Sequence, residues 1–235
     1  MSAFQTVGNA VGAATSGDEI WVASGTYVEN IVVSSPLTIL GGFAGDETHE
    51  EKESRNPKSF PTVVDGNRAE TVVTVQDKLT LDGITIRNGK SSKGSGVKVE
   101  GGELTIKNSI LIGNGFNNAT SEGGAIYSLD SIVTIERCTI LGNAASFGGG
   151  ISVLNSTAII SHCRICENES TSFGGGIDCS RSAITIDGCL LEGNKVIADY
   201  HRNSQIQPKT IVITSAGALM WDSSQGIVSN TLFVK

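Results

Sequence analysis

Four stretches of this chain align without a gap: Leu104 to Asn114 (LTIKNSILIGN), Val133 to Asn143 (VTIERCTILGN), Ala158 to Asn168 (AIISHCRICEN) and Ile184 to Asn194 (ITIDGCLLEGN). Their terminal asparagines are 29, 25 and 26 residues apart, and a repeat of that size decides the architecture before any local propensity does. A second motif recurs at similar offsets: Gly94-Ser-Gly-Val97, Gly123-Gly-Ala-Ile126, Gly148-Gly-Gly-Ile151, Gly174-Gly-Gly-Ile177 and, after a long detour, Ala216-Gly-Ala-Leu219. Two motifs per period mean two fixed corners per turn of chain.

Between the corners, apolar positions alternate with period two. Val133 and Ile135, then Cys138 and Ile140, face one side, while Thr134 and Thr139 face the other, as strands require. Strands this short cannot reverse as hairpins and still return equivalent residues once per period. Coiling does so, stacking like on like at ~4.8 Å. The expected fold is all-β, a parallel β-helix. The 29 Gly against 4 Pro, with 5% aromatic residues, suit short strands joined by tight turns and packed by aliphatic side chains. Asn114, Asn143, Asn168 and Asn194 are expected to form a ladder inside one corner. The Gly pairs allow close backbone approach at the other.

The chain reads as a single β-helix domain over residues 1–235, with a cap at 1–17, first coils at 18–75 and regular repeats at 76–235. An acidic loop at 44–61 and an insertion at 195–214 interrupt the rhythm, and such insertions are expected on one side of the coil stack. The cap is read as a helix, because Ser2-x-x-Gln5 fits a capping box and Phe4, Val7, Val11 and Ala14 share one helical face. No matching lid is visible after Thr231 to Lys235. A fragment of a longer chain is therefore expected, or else end-to-end association through an uncapped C-terminal coil.

The repeated GGA[ILV] and [FIL]xxN motifs resemble the polymorphic outer-membrane-protein repeats of bacterial surface proteins, over about residues 79–235. Gly25-Thr-Tyr-Val-Glu29, Leu40-Gly-Gly-Phe43 and Thr62-Val-Val-Asp-Gly66 likewise resemble the first coils of secreted bacterial β-helix proteins. The resemblance implies a right-handed, pectin-lyase-like coil in a secreted or cell-surface protein. It further implies a passenger, stalk or adhesive scaffold that meets a glycan or a protein ligand. The opening Met1-Ser-Ala-Phe4 lacks the basic and apolar regions of a secretory signal, so secretion implies a signal already removed.

The net charge of -7, without a basic stripe, argues against nucleic acid as a partner. No apolar run approaches the ~20 residues of a membrane span, so direct membrane insertion is not expected. Of five cysteines, Cys138, Cys163 and Cys189 share one repeat position. They are expected as an inward column of free thiols packed as small hydrophobes, with Cys179 also inward and Cys166 outward. No zinc site and no cofactor are expected. The acidic loop reads as a solvated charge run, with calcium on Asp46, Glu47 and Glu50 as the alternative, although EF-hand spacing is lacking.

A carbohydrate-active enzyme, lyase or hydrolase, is the alternative function. The outward column Asp82, Lys107, Glu136, Ser161, Asp187 is explained by cross-strand charge pairing. The Asn-Thr-Asp, Asp-Asp and Arg-Ile-Lys motifs of polygalacturonases do not occur. Pectin methylesterases resemble the Gly25 to Glu29 stretch, but their outward Asp pair finds no counterpart in the linear reading. Tyr200, His201 and Arg202, in the insertion, supply residue types that a lyase needs, provided a loop lets them converge over a groove lined by Tyr127 and Asp178. The outward aliphatics Ile110, Ile112, Leu141 and Leu190 form a candidate contact surface, covered by residues 195–214 or open to a partner. Thr80, Thr105, Thr134 and Thr185 align as one outward column broken by Ile159, too irregular for an ice-binding face.

Overall fold

A computed structural model of the chain describes residues 3–116, 120–197 and 217–234. Among these, strands build three long parallel sheets of eight, eight and seven strands and a fourth of three. Sheet A runs from Glu19–Ala23 to Gln225–Ser229, sheet B from Gly25–Val28 to Leu232–Val234, and sheet C from Ile31–Val33 to Leu219–Asp222. Sheet D joins Ala144–Phe147, Glu169–Phe173 and Lys195–Val196. Each coil visits C, then A, then B, and the regular coils add D after the Asn corner. The fold is the parallel β-helix that the repeat requires.

Register follows the repeat residue by residue. Leu104 lies between Leu79 and Val133, and Ile106 between Leu81 and Ile135. On sheet B the inward column Ile86, Leu111, Ile140, Ile165, Leu191 is fully buried. Each such side chain contributes roughly 1.5–3 kcal/mol, so the apolar stacks supply most of the driving force.

At the corner after sheet B, the Asn114 Nδ2 donates to Asn143 Oδ1 at 3.1 Å, Asn143 to Asn168 at 2.9 Å and Asn168 to Asn194 at 2.9 Å. The backbone N–H of each donor residue bonds the same oxygen. Each Nδ2 also reaches a carbonyl of the preceding coil, those of Ile86, Leu111, Ile140 and Ile165. Both ends of every amide are thus occupied. At the opposite corner the backbones come so close that a Cβ on Gly124 would lie 2.2 Å from the Gly149 carbonyl oxygen.

Two more side-chain columns repeat this device. The N–H groups of Ser131, Ser156 and Ser182 donate to Ser156, Ser182 and Ser224 Oγ at 3.0, 3.0 and 2.9 Å. The N–H groups of Cys138, Cys163 and Cys189 donate to Cys163 Sγ, Cys189 Sγ and Thr231 Oγ1, each at 3.4 Å. The cysteine column is therefore more than apolar filling, since its sulfur atoms take the place of hydroxyl acceptors. All five thiols are free. The adjoining Cys138 thiol pushes that of Cys163 up to about 12, so it stays protonated and inert. Cys166 does belong to an outward column, opposite Leu141 and Glu192, yet it is fully covered by its neighbours.

Two expectations are corrected. The capping helix is Val7–Ala13, and its N-cap is Thr6, whose Oγ1 accepts from Asn9 N at 3.1 Å; Ser2 lies outside the described residues. The Glu29 carboxylate holds this helix on the first coil by accepting from Val7 N and Gly8 N at 2.9 and 2.8 Å. The acidic loop is not simply solvated. Its 3-10 helix His49–Ser54 is clamped onto the outer face of sheet A by a Lys52–Glu19 pair at 2.6 Å and an Arg55–Asp82 pair at 2.8 Å. The first interruption falls between Phe43 of sheet A and Thr62 of sheet B; of the insertion expected at 195–214, residues 198–214 lie outside the described residues.

Candidate functional site

On sheets A and B the outward charges find partners. Lys107 meets Glu136 at 3.9 Å, Lys78 meets Glu103 at 3.0 Å and Arg164 meets Glu192 at 3.1 Å. Asp82, in the same column as Lys107, is taken by Arg55 from the clamp. Such pairs stabilise modestly and leave no reactive group.

Sheet C differs. In the strand Ile177–Ser180, Ile177 and Cys179 enter the core, so Asp178 stands on the outer face. Register sets Asp178 beside Ser152, and Ser152 beside Tyr127. Although outward, Tyr127 and Ser152 are 1% and 0% exposed, and Asp178 is 9% exposed. The turn leading into the sheet brings Lys93 to 5.1 Å from the centre of the Tyr127 ring, and Lys93, Glu122 and Phe147 stack in parallel bridges on successive coils. Ser152 Oγ and Glu122 Oε2 are buried without a hydrogen-bond partner, which costs ~1–3 kcal/mol each if nothing satisfies them.

Asp178 is the electrostatic centre of this face. Burial, followed by the Glu122 and Asp222 carboxylates, pushes its carboxyl up to about 7. Asp222 lies one coil further on. Met220 is the register partner of Asp178, and Asp222, two residues on, sits beside Ser180. Asp222 is exposed and accepts from Ser223 Oγ at 3.1 Å. Asp178 and Asp222 therefore form an outward, diagonal pair. It joins an enclosed carboxyl, raised to about 7, to an exposed one, unlike environments of the kind that acid–base chemistry uses.

Tyr127 and Asp178 are the two groove residues that the sequence singles out, and the structure brings them into one column. Ser152, Glu122 and Asp222 were missed. Tyr200, His201 and Arg202 lie outside the described residues. On sheet B, Ile112 is opposite Leu141, and Ile110 is opposite Thr139 and exposed. Leu190 is set apart, between Arg164 and Leu232. In the acidic loop, Glu47 accepts from the backbone of Ala44 and Gly45, and among the described residues no three His, Cys, Asp or Glu side chains are placed to hold a metal ion. A cavity of about 380 Å³ at the far N-terminal end is lined by Phe4, Val7, Trp21, Tyr27, Phe43 and Glu47. Its indole is already stacked on Phe43 and His49, at 4.7 and 5.7 Å.

The chain belongs to the right-handed β-helix family: the family model for the right handed beta helix region matches residues 62–233. No curated protein matches the sequence. Among solved structures, a pectin methylesterase mutant in complex with a hexasaccharide is similar over 99% of this chain and 75% of its own, at 12% identity and a TM-score of 0.52. The deglycosylated pectin methylesterase of Aspergillus niger is similar over 95% and 82%, at 14% identity and a TM-score of 0.40. The first likeness is one of fold. No helix among the described residues is long and apolar enough to cross a membrane.

Proposed function

We propose that this chain is the β-helical segment of a secreted or cell-surface bacterial protein, a passenger or stalk that presents the outer face of sheet C to glycans. The observation that carries this reading is the set of polar groups left without protein partners there: Ser152 Oγ, Glu122 Oε2 and the Asp178 carboxyl, which keeps some access to solvent. A hydroxyl-rich ligand would engage the Asp178 carboxyl, behind which the other two groups are enclosed. The resemblance of the GGA[ILV] and [FIL]xxN motifs to polymorphic outer-membrane-protein repeats supports the surface location. The fold shared with a pectin methylesterase that holds a hexasaccharide supports a glycan as the ligand, by analogy of fold. The reading needs no metal or cofactor.

A glycan microarray followed by calorimetry tests it. Wild type is expected to retain oligosaccharides, and Ser152→Val and Asp178→Ala to weaken retention at least tenfold while staying folded. Retention of no glycan, or binding indifferent to both substitutions, would remove this face from the function. The patch of Ile110, Ile112 and Leu141 would then become the surface to test with protein ligands.

A second reading, a hydrolase acting on carbohydrate, is favoured by one observation: the unlike environments of Asp178 and Asp222.

A further inference from the structure

We infer that Asp178 and Asp222 form the acid and base of an inverting glycoside hydrolase site on the outer face of sheet C, specific for uncharged glycans. This deepens the second reading and rests on the glycan-facing role of the same surface.

The placement is fixed by register. Asp178 and Asp222 stand on adjacent parallel strands, offset by two residues. With strands ~4.8 Å apart and ~3.3 Å per residue, the diagonal between their Cα atoms is about 8 Å. Both side chains leave the same face of the sheet, and a carboxyl separation equal to that diagonal lies within the ~6.5–9.5 Å that leaves room for a water beside the sugar. A pair directly opposite one another would stand near the shorter separation of a retaining enzyme.

The environments assign the roles. Asp178 is enclosed, and the charged groups facing it are Glu122, from the turn before Ile126–Leu129, and Asp222, from Leu219–Asp222. Both are acidic, and both favour its protonated form. Asp222 is exposed to solvent. In the step, the Asp178 carboxyl gives its proton to the glycosidic oxygen as the bond from that oxygen to the anomeric carbon breaks, the bonding pair going to the leaving oxygen. Water attacks the anomeric carbon from the opposite side and gives a proton to the Asp222 carboxylate. The products are an alcohol-ended leaving sugar and a hemiacetal of inverted configuration. Asp178 ends as carboxylate and Asp222 as acid, and solvent returns the proton. Water is the single co-reactant. Ser152 Oγ, in the column next to Asp178, and Glu122 Oε2 are unpartnered groups enclosed beneath this face.

Charge selects the substrate. Lys98 is engaged with Glu100 at 3.5 Å, and Lys93 lies against Tyr127 under the influence of Glu122. Both lysines of this face are thus engaged, Arg181 stands in the turn beyond Ser180, past the end of the strand, and the two acids repel a uronate. A neutral backbone is the fitting substrate, in contrast to the uronate chemistry expected of Tyr200, His201 and Arg202.

The test incubates the whole chain with xylan, β-1,3-glucan, β-1,4-mannan and α-1,4-glucan, with homogalacturonan as the charged comparison. Reducing ends are counted and the first anomer is read by proton NMR. One neutral glycan is expected to be cleaved with inversion, homogalacturonan to be spared, and turnover to fall above about pH 7 as Asp178 loses its proton. Asp178→Asn and Asp222→Asn should each lower turnover at least ~100-fold without lowering the unfolding midpoint or abolishing oligosaccharide binding. Azide should restore turnover to Asp222→Ala. A retained anomer, or cleavage indifferent to both substitutions, overturns the assignment. Binding on the microarray with no cleavage overturns the hydrolase and leaves the glycan-facing role standing; neither binding nor cleavage overturns both.

Discussion

At the Asn corner and on the outer face of sheet C, this solenoid encloses polar side chains on opposite terms. Asn143 uses its amide fully: Nδ2 reaches Asn168 Oδ1 and the Leu111 carbonyl, and Oδ1 receives both the N–H and Nδ2 of Asn114. Ser152, equally enclosed, has an Oγ with no partner, and Asp178 is held against two other carboxylates. The first arrangement lowers the free energy of the fold, because each enclosed donor meets an acceptor. The second raises it. Local destabilisation concentrated on one face of an otherwise well-satisfied coil is what a site for a ligand requires.

The largest expected effect separates the two places by pH. An unfolded Asp titrates near ~3.9, whereas Asp178 in the fold titrates at about 7. Between those values the native chain holds a proton that the unfolded chain has lost, so stability falls as pH rises from 4 through 7. The swing from this group is on the order of 4 kcal/mol. Asp178→Asn, neutral throughout, should match wild type near pH 4 and exceed it by that order at pH 8, read from urea midpoints across the range. Parallel pH profiles for the two proteins would show that Asp178 is not held protonated.

Next in size, Asn143→Ala should lower stability by roughly 3 kcal/mol, since it strands at least two buried partners at ~1–3 kcal/mol each. An unchanged denaturation midpoint would erase the distinction between the corner and the outer face. Ser152→Ala should shift stability by no more than about 1 kcal/mol, upward, because it removes a hydroxyl that bonds to nothing. A loss as large as that of Asn143→Ala would reveal a hidden partner for Ser152. The smallest effect belongs to Lys107→Ala. Its pairing with Glu136 is half exposed, so less than ~0.5 kcal/mol should be lost, and that in low salt alone.

Much of the coil was legible in the linear order. The Asn column declares itself because one residue type recurs at one corner, and the inward stacks because alternation tells the two sides of a strand apart. The Ser131, Ser156, Ser182 and Ser224 column carries the same signal and was passed over, because serine before a strand looks like ordinary turn chemistry. Cys138, Cys163 and Cys189 were placed correctly, but residue type suggested packing where the structure shows an N–H bonded to each of the latter two sulfur atoms. Asp222 escaped notice because the alignment of Ala216-Gly-Ala-Leu219 with Gly174-Gly-Gly-Ile177 sets it beside Ser180 rather than beside another acid, and a lone aspartate at a strand end looks like ordinary turn chemistry.

By itself the sequence determined the coil, its register, its two corners and the side of the sheet on which each residue stands. Those properties depend on a period of two within strands and of about 25 between coils, and a period can be counted. The tertiary structure alone decided which outward residues are enclosed. Cys166, Tyr127, Ser152 and Asp178 point away from the core yet are covered, while Ile110 and Ile227 on other faces are not. Enclosure depends on what turns and neighbouring coils bring over a face, through contacts between residues far apart in the chain, and with it go the desolvation and like-charge repulsion that give Asp178 its chemistry.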